Sequence, residues 1–265
     1  MSQSYRADSV EGKPQEVAES PTKAYNLLWI APRFPASGEQ FGQPIPDTTV
    51  ENMYGVAGRN PNADVRLWID SRRMTDAQIS LLEKIMGECS SDNMSLHDFR
   101  NVPEYDNHPL YNQSDDSPNW RFDKHSLIWR QVDAARILAC LQSGQDQVFY
   151  SDADVTNLVV DSDEVQSRLK KHGIILAGYV DEKSGYPLYE NQLFGFDSGK
   201  RGFFRLLYNR TLRDVAEKKE NGYGSYIDLI NSELKGREGI DTRDIVFQAR
   251  YDGTVALHPK RDERR

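Results

Sequence analysis

Two aspartates one residue apart, Asp152 and Asp154, follow directly on the apolar run Gln147-Val-Phe-Tyr-Ser151. Ligands of open α/β sheets bind outside the carboxyl ends of the strands, so a carboxylate pair at a strand end stands where chemistry is commonly done. Two carboxylates repel an anionic ligand such as a nucleotide diphosphate unless a hard divalent cation lies between them, which points to manganese or magnesium on Asp152 and Asp154. Such an ion also stabilises charge that develops on a departing diphosphate. A second pair, Asp133 and Arg136, precedes the first in the segment Asp133-Ala-Ala-Arg136. At helical spacing these two share a face, and that face must point to the same end of the sheet if all four residues are to act together. In a chain with 41 Asp and Glu, a solvated turn and a surface ion pair worth a few tenths of a kcal/mol account for the same residue types.

The elements that must position these groups alternate between strand and helix patterns. Tyr25 to Ala31 reads as a buried strand closed by Pro32 and Pro35, Asp47 to Arg59 as a helix, Asp64 to Asp70 as a strand and Thr75 to Glu88 as a capped helix. Alternation of this kind implies a parallel sheet with helical crossovers. Residues 99–120, rich in Pro, Asn, Asp and Ser, read as an insert or lid rather than core. Asp123 to Gln142 reads as a long amphipathic helix ended by Gly144, followed by the strand that delivers Asp152. His172–Val180 and Tyr189–Phe196 read as strands, 199–219 and Tyr223–Leu234 as helices, and Ile245–Phe247 with Thr254–Leu257 as a terminal hairpin or loop pair. Residues 1–23 lack apolar periodicity and read as a disordered tail, 24–259 as one domain, and 260–265 as a charged tail.

Bulk properties remove several function classes. A net charge of -8 argues against a nucleic-acid partner, which calls for a broad basic surface. Cys89 and Cys140 form neither a disulfide framework nor a zinc pattern. The longest apolar runs, such as Ile174–Ala177, are far too short to span a bilayer, and Met1–Glu19 lacks an apolar signal-peptide core. The expectation is a chain made in the cytoplasm, with secretion by a route that reads a polar, Ser-rich start left open. No GxSxG, HExxH or P-loop pattern occurs.

Helix with Asp133 and Arg136, glycine break, short apolar strand, then Asp152-Ala-Asp154-Val155: this order resembles the donor-site segment of DxD-containing GT-A glycosyltransferases. Within them it is most similar to the bacterial toxin and effector enzymes, including large clostridial toxin catalytic domains and arginine N-acetylglucosaminyltransferase effectors. The likeness covers Arg130 to Val155 well and the first strand loosely, where Leu28-Trp29-Ile30-Ala31 has Ala31 in place of the family's glycine. The helix-to-strand turn is also longer here, and Gln145-Asp146 stands where a second glycine is usual.

The resemblance implies a GT-A-like (Rossmann-like) α/β fold, a single domain with a mainly parallel central sheet flanked by helices. It implies a metal-dependent transfer, with retention, from a nucleotide-sugar donor such as a UDP-sugar to an acceptor protein or glycan. It assigns sugar and ribose contacts to Asp133 and Arg136, ribose and metal to Asp152 and Asp154, and nucleobase stacking to Trp29, which could equally be plain core. Before the apolar strand ending at Phe196, Glu190 is a candidate base or ion-pair stabiliser and Asn191 a sugar ligand. The family's C-terminal metal-site motif is not recognisable; His258 and Lys260 of His258-Pro-Lys260 are the candidates for a third metal ligand and a diphosphate contact, against a plain loop reading. A metal-dependent nucleotidyltransferase or phosphohydrolase, and a noncatalytic interaction protein of the same fold, are the competing functions.

Overall fold

The computed structural model describes residues 22–31, 42, 44–88, 92–112, 127–155, 157–180, 187–216 and 246–248. The N-terminal tail through residue 21, the C-terminal tail, residues 113–120, the helix read over Tyr223–Leu234, the Thr254–Leu257 part of the terminal hairpin or loop pair, His258 and Lys260 lie outside the described residues, while Lys23, read as tail, opens the first strand.

Among the described residues, seven strands form one sheet: β1 (Lys23–Trp29), β2 (Asp64–Ile69), β3 (Met94–Asp98), β4 (Gln147–Ser151), β5 (Ile174–Val180), β6 (Pro187–Asp197) and β7 (Val246–Gln248). Their spatial order is β3-β2-β1-β4-β6-β5-β7. Pairing is parallel throughout except where β6 runs antiparallel to both β4 and β5. The expected α/β class with a mainly parallel central sheet is therefore what the chain adopts.

The sheet is buried on both faces because its strands alternate apolar side chains between two cores. In β1, Tyr25 and Leu27 pack with α1 (Asp47–Arg59) and α2 (Asp76–Glu88), while Leu28 and Ile30 face α4 (Leu127–Leu141) and α6 (Arg201–Ala216). In β4, Phe149 joins the first group and Val148 and Tyr150 the second. Gly195 of β6 permits a close approach across the sheet, since a Cβ there would stand 2.6 Å from the Phe149 ring.

Three local readings change. The segment from Phe99, read from its prolines as an excursion, places Phe99, Val102, Tyr105, Leu110 and Tyr111 in the core, from a short 3-10 turn (Phe99–Asn101), α3 (Pro103–Asp106) and the turns that link and follow them. Phe99, Tyr105 and Tyr111 stack on one another with centroid distances of 4.5 and 3.8 Å, and that aromatic column outweighs the loop-forming composition. Met94–Asp98 is a strand that gave no sequence signal, because it is a polar edge strand with all five residues only partly buried. Asp163–His172 is a helix, α5, so His172 ends a helix instead of opening a strand. Its cap is Ser162, whose hydroxyl accepts from the Val165 amide, and it stops at Gly173 with φ 70°.

Candidate functional site

The chain leaves β1 toward β2 and β3 on one side and returns through β4 on the other, so the crevice between the carboxyl ends of β1 and β4 is a topological switch point. Asp152 is the first residue beyond β4, and its amide donates to the Gln192 carbonyl of β6 at 2.8 Å. Helix α4 is fixed over the same sheet from its other end. There the Arg201 guanidinium donates to the carbonyl of Leu141, the last residue of α4, and to those of Ser143 and Gln145 just beyond it. This places the middle of α4, with Asp133 and Arg136, beside the carboxyl end of β4.

Arg136 is the hub, with only 8% of its side chain exposed. One terminal nitrogen lies 3.3 Å from Asp152 Oδ1. The other lies 3.5 Å from Asp133 Oδ1 and donates to the Asn191 carbonyl at 3.2 Å. The guanidinium also stands 5.6 Å from the centroid of the Tyr150 ring. Tyr150 OH donates to Asp152 Oδ1 at 2.7 Å, and burial pushes its phenol well above the ordinary value, so it stays a donor. Asn191 Nδ2 donates to Asp133 Oδ1 at 2.6 Å. Burial raises the Asp133 carboxyl above its ordinary value; Arg136 pulls it back, the Asp152 charge raises it further, and the Asn191 bond lowers it.

Asn191 reaches α4 because of a bulge. β5 pairs Leu176 with Phe194 and then Ala177 with Glu190, leaving Asn191, Gln192 and Leu193 of β6 without β5 partners. Extra residues in one strand re-aim side chains, here at the edge of the site. Glu190 stays within β6 opposite Ala177. Asp154 is exposed at the mouth of the β4 turn, which is closed by the Val155 amide donating to the Asp152 carbonyl.

Asp133, Arg136, Asp152 and Asn191 thus form one bonded group, with Asp154 beside it in sequence. Trp29 ends β1 and packs partly into the other core, on the sheet face away from α4. His258 and Lys260 lie outside the described residues. Tyr150 and the Gln192 carbonyl belong to the site and were missed, Tyr150 because within an apolar strand it reads as core. Elsewhere, His97 packs against Trp68 and pairs with Ser95, and His108 accepts from the Leu110 amide.

The carboxylates and the single guanidinium give this group a net negative charge. Asp152 and Asp154 are hard oxygen donors at a strand end, and they fit a hard divalent cation that shares its remaining positions with phosphate oxygens. Among the described residues no group of three or more His, Cys, Asp or Glu is arranged to enclose an ion.

A second buried polar network lies at the carboxyl end of β2. Asp70 accepts from Tyr105 OH at 2.9 Å and from Arg72 Nε at 2.9 Å, and Arg73, 1% exposed, lies against it at 3.6 Å. A cavity of about 200 Å³ opens here, lined by Asp70, Arg72, Arg73, Tyr111 and Asn112. A larger groove of about 580 Å³, between Gln147, Gln166 and Asp197, sits at the opposite end of the sheet and takes no part in the site.

No protein-family model and no curated protein matches the sequence. Solved structures share its fold. PaToxG glycosyltransferase superposes with a TM-score of 0.52 at 12% identity, over 84% of this chain and 72% of that one. A structure described as a transferase gives 0.52 at 14% identity over 87% and 91%, and a cysteine-to-serine mutant of a transferase gives 0.52 at 13% over 91% and 93%. The chain has a GT-A-like fold. At these identities the likeness is one of architecture, and the chemistry has to be argued from the site. Among the described residues, no helix is long and apolar enough to cross a membrane.

Proposed function

We propose that this protein is a divalent-metal-dependent glycosyltransferase that takes a sugar from a nucleotide-sugar donor, a UDP-sugar, and passes it to a protein or glycan acceptor. The observation that carries the reading is the Arg136 guanidinium held between Asp133 and Asp152, with Asn191 bonded to the same Asp133 oxygen, at the switch point of a sheet shared with transferases. Arg136 offsets part of the carboxylate charge and fixes the acids in place, and a divalent cation on Asp152 and Asp154 would offset the rest, so that a diphosphate could bind.

In this reading Asp133, Arg136 and Asn191 orient the sugar and ribose hydroxyls, and Asp152 and Asp154 hold manganese or magnesium, with His258 as a further ligand and Lys260 against the diphosphate. The ion supplies Lewis-acid stabilisation of the departing diphosphate oxygen. The bond from the anomeric carbon to that oxygen breaks and its electron pair leaves with the nucleoside diphosphate. A new bond forms from the carbon to the acceptor, whose proton is released. Glu190 is proposed to stabilise the anomeric carbon or take that proton, with retention of configuration, and Trp29 to stack on the nucleobase. Function as a secreted bacterial effector made in the cytoplasm fits the resemblance to toxin and effector enzymes.

The test is incubation with a panel of nucleotide sugars and Mn2+, scored by the nucleotide released. UDP supports glycosyl transfer. UMP or inorganic phosphate would mean a nucleotidyltransferase or phosphohydrolase using the same carboxylates. No product and no metal-dependent nucleotide binding would mean an interaction protein.

A further inference from the structure

Arg73 is among the largest fully buried side chains in the chain, and it lies outside the group built on Arg136. One of its terminal nitrogens donates to the Ala31 carbonyl, two residues beyond Trp29 at the exit of β1, at 3.3 Å. The other donates to Gln131 Oε1 of α4 at 2.6 Å. Gln131, fully buried, passes the link on by donating to the Leu110 carbonyl at 2.8 Å. Asp70, at the exit of β2, lies beside the guanidinium and balances its charge. The Arg73 carbonyl in turn accepts from the Gly42 amide at 2.7 Å, holding the chain that returns from β1.

A buried arginine is costly to desolvate, and replacing such pairs by apolar residues is often neutral or stabilising, so packing alone does not account for one here. What a planar fork does that an apolar group cannot is fix two elements at a set separation and angle. The elements it joins are the strand exit that carries Trp29 and the helix that carries Asp133 and Arg136. We propose that Arg73, acting through Gln131, is a positioning residue that sets the spacing between the nucleobase end and the sugar-diphosphate end of the donor site. The inference rests on the glycosyltransferase reading for what the two ends bind. The tie itself rests only on the hydrogen bonds. A ligand that spans both ends binds more tightly than its parts only while that spacing is held, which is the effective-concentration argument for two linked contacts.

The test uses Gln131→Met, which keeps the size of the side chain and leaves Arg73 paired with Asp70, together with Arg73→Lys, which keeps the charge and loses the fork. Two measurements are made on the full chain. In hydrogen exchange without ligand, both variants are expected to speed exchange about tenfold in peptides covering 25–31 and 127–135, with β4 and β6 within about twofold of wild type. A change confined to α4, or equal everywhere, overturns the tie. In titrations, Gln131→Met is expected to bind UDP with Mn2+ about tenfold more weakly, and uridine alone within about twofold of wild type. Equal weakening of both, or no weakening, overturns the positioning role. If wild-type protein binds neither probe, the functional reading fails, and the exchange measurement still decides whether the tie exists.

Discussion

Removal of Arg136 tests most of the site at once. In wild-type protein its guanidinium neutralises Asp133 and Asp152, whose side chains are 27% and 19% exposed, and satisfies the Asn191 carbonyl. In Arg136→Ala two carboxylates share a half-buried space with no cation. Breaking a fully buried pair costs about 3–5 kcal/mol, and the water that reaches these carboxylates brings the figure to about 2–3 kcal/mol. For a chain of this size that is a fall of about 5–10 °C in unfolding midpoint. Adding Asp133→Asn removes one of the two uncompensated charges and keeps an acceptor for Asn191 Nδ2, so the double variant should melt above Arg136→Ala, with a coupling of about 1 kcal/mol or more. The assay is thermal unfolding of the four proteins in one buffer at low salt. An Arg136→Ala midpoint within about 1 °C of wild type, or a double variant no better than the single one, would refute the idea that this guanidinium holds the two aspartates together.

Two further outcomes follow from the same geometry. Burial raises the Asp133 carboxyl, so the fold favours its protonated form: that contribution to stability is present below the ordinary carboxylate value and is lost as pH rises through the raised one. Asp133→Asn should accordingly melt no lower than wild type at neutral pH, a margin that closes on acidification, while UDP binding to wild type weakens over the same pH range; a large loss of stability in Asp133→Asn contradicts this. If the Trp29 ring takes the nucleobase, UDP should quench indole fluorescence in wild type and much less in Trp29→Leu, whereas equal quenching in both assigns the signal to another tryptophan and Trp29 to packing.

Sequence pattern went furthest where one element carries the whole signal. Gln147–Ser151 is an apolar run with acids directly after it, and it is a strand with Asp152 at its end. Asp47–Arg59 is the helix read from periodicity, and β2 begins at the residue expected. That Arg136 would reach Asp152 was a condition of the reading, since helical spacing sets only which residues share a face; the geometry depends on α4 being anchored by Arg201, which lies far along the chain. The bulge that swings Asn191 toward α4 has no signature in Glu190-Asn-Gln-Leu193, because register is set by the partner strands. Arg73 stands in Asp70-Ser-Arg-Arg73, a string with the composition of an exposed turn, and only its fold buries it. The polar edge strand β3 was silent because pairing with β2, not an apolar pattern, defines it, and α5 was silent because only Val165, Leu169 and His172 of its ten residues are buried among charged neighbours.

The central claim is that Asp152 and Asp154 join a divalent cation to a nucleoside diphosphate. Calorimetric titration of UDP into wild-type and Asp154→Ala protein, each with Mn2+ and with EDTA, tests it most directly. Asp154 is exposed, so its loss should leave the unfolding midpoint unchanged. Binding is predicted only for wild type with Mn2+. Heat retained in Asp154→Ala, or unchanged in EDTA, would contradict the account.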